Sequence, residues 1–251
     1  MDELRRQYLE AMGIRVWVSR DTTGVEPDNV VASTPVVELE PAPDIPEPGP
    51  VVEQKATLST AVDVTTLGWD ALRSQVAGCE ACSELVANRS QTVFGVGDQN
   101  AEWLVIGEAP GADEDRLGEP FVGKAGQLLN SMLLAIGLKR EQVYIANILK
   151  CRPPNNRDPD PAEAAACEPF LKRQIELVRP KIILVVGRIA AQNLLKTDTP
   201  IGKMRGNIYH YGDAEIPVVV TYHPAYLLRS PSEKRKSWED LKQARSVVTS
   251  V

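Results

Sequence analysis

Four short apolar runs, spaced by helical or polar stretches, constrain this chain more than any other feature. They are EWLVIG (102–107), VYIANIL (143–149), KIILVVG (181–187) and PVVVTY (217–222). Short runs rich in Val, Ile and Leu read as strands buried on both faces. Helical stretches lie between or after them. Gly126 to Ile136 places Leu128, Leu129, Met132, Leu133 and Ile136 on one face. Pro161 to Val178 opens on a proline suited to a first turn and places Ala164, Cys167, Leu171, Ile175 and Val178 on one face. Arg188 to Leu195 and Glu233 to Val248 read as two more helices. Strands alternating with helices imply an α/β fold, a parallel sheet covered on both sides. In such sheets the chemistry gathers at the carboxyl ends of the strands. Asn207 to Tyr211 reads as one further strand, with His210 a structural residue in it.

The chain has 251 residues, 43% of them hydrophobic, which excludes wholesale disorder. No apolar run is longer than Ile182 to Val186, so a membrane-spanning helix is excluded. The start, Met-Asp-Glu-Leu-Arg-Arg, has no apolar segment after a basic one, so no secretory signal and a cytoplasmic location are expected. The net charge of −6 is unevenly spread. Residues 21–66 hold nine acids against Lys55, with seven prolines and no aromatic residue. Such a stretch cannot bury enough apolar area to offset its ordering entropy, so a disordered acidic linker is expected. Ahead of it, Leu4, Tyr8, Ala11 and Met12 fall at helical spacing. Residues 1–20 therefore read as a short amphipathic docking helix for a protein partner. Residues 67–251 form the remaining domain. It is close to neutral, and a neutral domain still binds nucleic acid when its Lys and Arg gather on one face.

All four cysteines fall in that domain. Cys79-x2-Cys82 precedes the first strand, Cys151 follows the second, and Cys167 lies in a helix. Four thiolates bind zinc or an iron–sulfur cluster, and spacing alone does not separate the two. Lys150 and Arg152 flank Cys151, two cations able to offset cluster charge. Gly107-Glu108-Ala109-Pro110-Gly111 follows a strand, where glycines let backbone approach a ligand. It is neither G-x-G-x-x-G nor a P-loop, so dinucleotide and ATP binding lack support. Phe121 stands in the loop Gly118-Glu119-Pro120-Phe121-Val122-Gly123, where a ring could stack on a flat base. His223 stands where the last strand ends, in Tyr222-His223-Pro224-Ala225-Tyr226-Leu227-Leu228-Arg229.

Taken together, these segments resemble the family 4 uracil-DNA glycosylases, the iron–sulfur type. The resemblance rests on Cys79-x2-Cys82, GEAPGADED (107–115), GEPFVGKAG (118–126), NILKCRPPNNR (147–157), Cys167 and HPAYLLR (223–229), in that order. It covers residues 67–251 and carries nothing onto residues 1–66. It implies a three-layer α/β/α fold with a four-stranded parallel sheet and a [4Fe-4S] cluster on Cys79, Cys82, Cys151 and Cys167. The substrate it implies is uracil-containing DNA, single- or double-stranded, with the base flipped into a pocket.

The same resemblance implies residue roles. Phe121 stacks on uracil, and Asn147 reads its edge with an amide that both donates and accepts. His223 donates near O2 as the base leaves as an anion. Ala109, in the uracil-binding loop, stands where the best-known uracil-DNA glycosylases carry an Asp beside the attacking water. Glu108, the nearest carboxylate in sequence, is then the candidate for organising the site. Glu114 is carried over as a residue that excludes thymine's methyl. Leu227 is the expected wedge into the vacated stack, with Leu228 and Arg229 as alternatives. Lys234, Arg235 and Lys236 are expected on phosphates, and no Lys stands out as an amine nucleophile. A monomer is expected. Two rival readings are a family 5 glycosylase of wider base range and a catalytically silent iron–sulfur DNA-binding module.

Overall fold

Backbone without a polar face has to be covered on both sides, and the four apolar runs meet that demand as neighbours in one sheet. The computed structural model describes residues 63–249. After a 3-10 turn at Val64–Thr66 come helices α1 (Trp69–Ala77) and α2 (Ser83–Asn88). Strands β1 (Val96–Gly97) and β2 (Trp103–Gly107) follow, then α3 (Ala112–Leu117) and α4 (Lys124–Ala135). Next are β3 (Val143–Asn147), α5 (Pro161–Val178), β4 (Ile182–Val186), α6 (Arg188–Leu195) and α7 (Ile201–Met204). The last elements are β5 (Ile208–Tyr211), β6 (Ile216–Thr221), α8 (Pro224–Arg229) and α9 (Lys234–Thr249).

The sheet order is β1-β3-β2-β4-β6-β5. The central β3, β2, β4 and β6 are parallel, as expected. The expected strand count of four is corrected to six, because β1 and β5 add antiparallel edges. The strand read over Asn207 to Tyr211 is β5, at one edge; β1, with two residues, is too short to show as an apolar run. The central strands alternate their side chains between two cores. Leu104, Ile106, Ile183 and Val185 pack with Leu171 and Ile175 of α5 and Ala190 of α6. Trp103, Val105, Leu184 and Val219 pack with Leu129 and Met132 of α4 and Leu241 of α9. Two helical layers therefore cover the sheet.

Helix α5 starts where its sequence says it should. Pro161 takes the first position, and the Glu163 carboxylate accepts from the Asp160 N–H at 2.9 Å. It also stops on a left-handed Arg179 at φ 52°. Helix α1 packs Leu72 and Val76 against Phe94 and Phe170. Val64 joins that cluster, and Arg173 donates to the Leu67 carbonyl at 2.7 Å. Val64, within the stretch expected to be linker, thus packs on the domain. The docking helix and the rest of the linker lie outside the described residues.

Candidate active site

Strands β2 and β3 end side by side, with Gly107 opposite Asn147. A Cβ on Gly107 would strike the Asn147 amide oxygen and stand 2.6 Å from the Phe121 ring. Glycine here lets both side chains converge on one backbone. Phe121 is buried at φ 55°, a left-handed conformation that a bulky residue rarely adopts. Such strain persists only where the surroundings hold it, and two side chains do so. The Glu114 carboxylate accepts from the N–H groups of Gly111 (3.1 Å), Val122 (2.9 Å) and Gly123 (3.2 Å). Arg140 donates to the carbonyls of Pro120 (2.5 Å) and Phe121 (3.3 Å). Helix α4 closes in from behind, where a Cβ on Gly126 would overlap the Phe121 carbonyl. Both Glu114 oxygens are therefore engaged in shaping the loop.

Asn147 is 2% exposed, and its Oδ1 has no hydrogen-bond partner. A buried acceptor left open costs stability unless something else satisfies it. Beside Phe121 stands His223, its ring 5.6 Å away at 32°. His223 caps α8: its Nδ1 accepts from the Ala225 N–H at 3.1 Å. Because Nδ1 accepts, the proton of the neutral ring sits on Nε2. Burial and the nearby Arg229 hold the imidazole down at about 4, against the pull of Glu114. The ring is therefore a neutral donor near pH 7. Gly187, at φ 103°, leaves room for it, since a Cβ there would lie 3.1 Å from the His223 Cβ. Behind the turn, Asp240 accepts from Thr221 Oγ1 (2.7 Å) and from Arg205 (2.6 and 2.8 Å). Arg205 also lies over the Tyr222 ring at 4.5 Å.

Glu108 follows Gly107 at the same strand end and is half-buried. Burial, and then Asp158, push its carboxyl up to about 7, against the opposing effect of Arg188. Arg188 itself bonds Asp158 at 2.9 Å. The β2 and β3 backbones stay paired beyond the strands, with the Leu149 N–H donating to the Glu108 carbonyl at 3.0 Å. That pairing carries the chain to Cys151.

Cys151 and Cys167 are buried beside Leu85, Leu149, Cys82 and Ala109. Arg89 ties in Cys79, donating to the Cys151 Sγ at 2.8 Å and to the Cys79 carbonyl at 2.7 Å. Burial raises the thiols of Cys82 and Cys151, and that of Cys167 to about 11. Holding these three sulfurs as thiolates takes strongly bound cations. Arg152, which flanks Cys151, donates to Asn156 Oδ1 at 2.8 Å.

The two leucines named for the wedge differ in exposure. Leu227 is 1% exposed and packs with Leu128 and Leu241, whereas Leu228 is 44% exposed. In a helix, successive side chains turn by about 100°, so one residue of α8 faces the core and the next faces out. Arg229 and Arg235 are exposed, Lys236 bonds Glu233 at 2.8 Å, and Lys234 is half-buried. Phe121, Asn147, Glu114 and His223 are brought together. Arg140, Arg89 and the Arg205–Asp240 pair were missed, because each works through a contact distant in sequence.

The family model of the uracil DNA glycosylase superfamily matches residues 94–242. The chain is 44% identical over 180 residues to a Type-4 uracil-DNA glycosylase of Archaeoglobus fulgidus, covering 69% of this chain and 90% of that protein. To the Type-4 uracil-DNA glycosylase of Thermotoga maritima it is 42% identical over 177 residues, covering 69% and 91%. A Type-5 uracil-DNA glycosylase of Pyrobaculum aerophilum is 30% identical over 196 residues, covering 65% and 85%. No helix among the described residues is long and apolar enough to cross a membrane. With its pocket residues at the strand ends and its four cysteines beside them, the chain belongs to the uracil-DNA glycosylase superfamily and, within it, to the Type-4 uracil-DNA glycosylases.

Proposed function

We propose that this protein flips uracil out of DNA and hydrolyses its N-glycosidic bond, leaving an abasic site in an uncut strand. The observation that carries this is the open, buried Oδ1 of Asn147 beside the Phe121 ring. Uracil offers a donor at N3–H, which would satisfy that oxygen, whereas cytosine presents a second acceptor there. Phe121 supplies the stacking face. As the bond breaks, charge grows on uracil O2, and the neutral Nε2–H of His223 donates to it. Glu108, poised near 7, orders the attacking water and takes its proton. Leu228 fills the space left in the stack, and Arg229 and Arg235 meet phosphates.

The four thiols and the adjacent cations of Arg89 and Lys150 suit a [4Fe-4S] cluster on Cys79, Cys82, Cys151 and Cys167. When bound, such a cluster joins segments some 70 residues apart and so stabilises the fold. We read the protein as a cytoplasmic monomer that accepts single- or double-stranded DNA and docks a protein partner through residues 1–20. The deciding experiment incubates purified protein with a uracil-containing oligonucleotide. Cleavage at uracil only after alkali supports the proposal, and an intact strand after alkali overturns it.

A further inference from the structure

Lys150 is 1% exposed, and its ammonium donates to two neutral groups. These are the main-chain carbonyl of Asn147 at 2.9 Å and Gln174 Oε1 at 2.6 Å. Gln174, itself fully buried, is held by the Phe94 carbonyl at 2.8 Å and Tyr144 Oη at 3.3 Å. A cation taken wholly out of water needs an anionic partner as well as hydrogen bonds. Neither bonded group supplies one. The anion-forming groups that act on its charge are the thiols of Cys167 and Cys151; Cys151 is its chain neighbour, and the Lys150 main-chain N–H bonds the Cys167 sulfur. The same residue therefore grips the backbone of the uracil-reading residue through its ammonium and is tied to the cysteine centre through its main chain and its charge.

We propose that Lys150 is a positioning residue that couples the cysteine centre to uracil capture: its charge is set against the sulfur-bound group, and its hydrogen bond to the Asn147 carbonyl holds the reader in register. This rests on Asn147 as the uracil reader and on an iron–sulfur group at the cysteines. Two consequences follow that packing alone would not produce. Removing a positive charge beside an iron–sulfur group makes it harder to reduce. Loosening Asn147 weakens capture of the flipped base more than it slows the chemical step, which depends on His223 and Glu108.

The test uses the full chain, purified without oxygen, as wild type, Lys150→Met and Gln174→Leu. Iron content, cluster midpoint potential and single-turnover kinetics on a uracil oligonucleotide are measured. Lys150→Met should lower the potential and weaken half-saturation by about tenfold, with the saturating rate within a few-fold of wild type. Gln174→Leu keeps the charge and removes one anchor. It should weaken half-saturation while leaving the potential near wild type, and it decides the case if Lys150→Met does not fold or load iron. Wild-type half-saturation in an iron-loaded Lys150→Met, or in Gln174→Leu where the first variant fails, overturns the coupling. So does an unchanged potential in Lys150→Met. A wild-type protein that holds no iron or releases no uracil overturns the function reading itself, and the coupling with it.

Discussion

Burial moves His223 and Glu108 in opposite directions because the two groups are of opposite charge type. Burial penalises whichever form is ionised, so it lowers the histidine to about 4 and raises the carboxyl to about 7. The histidine is thus neutral across the neutral range, and with Glu108 as the proposed base the pH limb of the rate is expected from its carboxyl. Single-turnover rate should rise with pH up to about 7 and then level. Glu108→Gln should remove that limb and lower the plateau by ~10²-fold or more. Its effect on stability has the opposite sign to its effect on rate. Folded Glu108 keeps its proton up to about 7, against 4.5 for the unfolded side chain. The stability it contributes is full below 4.5 and is lost as pH rises through 7. Glu108→Gln should therefore melt at a higher temperature than wild type above pH 7, which calorimetry at two pH values would check. His223→Ala should lower the saturating rate by ~10²–10³-fold while binding uracil-DNA nearly as well, because O2 charge develops only in the transition state. A saturating rate equal to wild type would place His223 in binding instead.

Helix α8 divides two roles between adjacent leucines. Leu227 lies in the core, so Leu227→Ala should cost about 2–5 kcal/mol of stability, read by denaturant melts. Leu228 points outward, so Leu228→Ala should leave stability nearly unchanged and slow excision from paired DNA more than from single strands, where less stacking must be broken. Similar losses on both substrates would remove Leu228 as the wedge. The start of α9 is less available to DNA than its run of cations implies, because Lys236 is paired with Glu233 and Lys234 is half-buried. Arg235→Ala alone should therefore account for most of the fall in salt dependence seen when residues 234–236 are all changed to Ala. Binding isotherms at several salt concentrations measure this. The helix itself was legible as periodicity. Which of its charges are free was not, since Glu233 and the α4 side of the crevice decide that by contact.

At the scale of the whole molecule, the domain begins a few residues earlier than composition indicates, because Val64 and Leu67 pack beside α1 and α5. A chain starting at residue 63 should keep its excision rate on short DNA, and one starting at residue 79 should lose stability with α1. Rates and melting temperatures of the two truncations check this. Composition failed at that boundary because a short apolar turn gains its stability from a surface supplied by other segments.

Much of the architecture follows from local chemistry. The four central strands are legible because each must be apolar on both faces, and helix α5 because proline, cap and periodicity agree. Phe121, Asn147 and His223 were legible as residue types at strand ends and in a glycine-marked loop, where α/β folds place ligands. What tertiary structure alone decided was their state. The left-handed Phe121 depends on Glu114 and Arg140, and the Nε2–H tautomer on the Ala225 N–H. The cation on Cys151 is Arg89, and the leucine that faces out is Leu228. Sequence determined which groups were present and which surfaces had to be buried, because those depend on composition and spacing. Protonation, strain and exposure depend on neighbours brought from distant parts of the chain, and only folding supplies those.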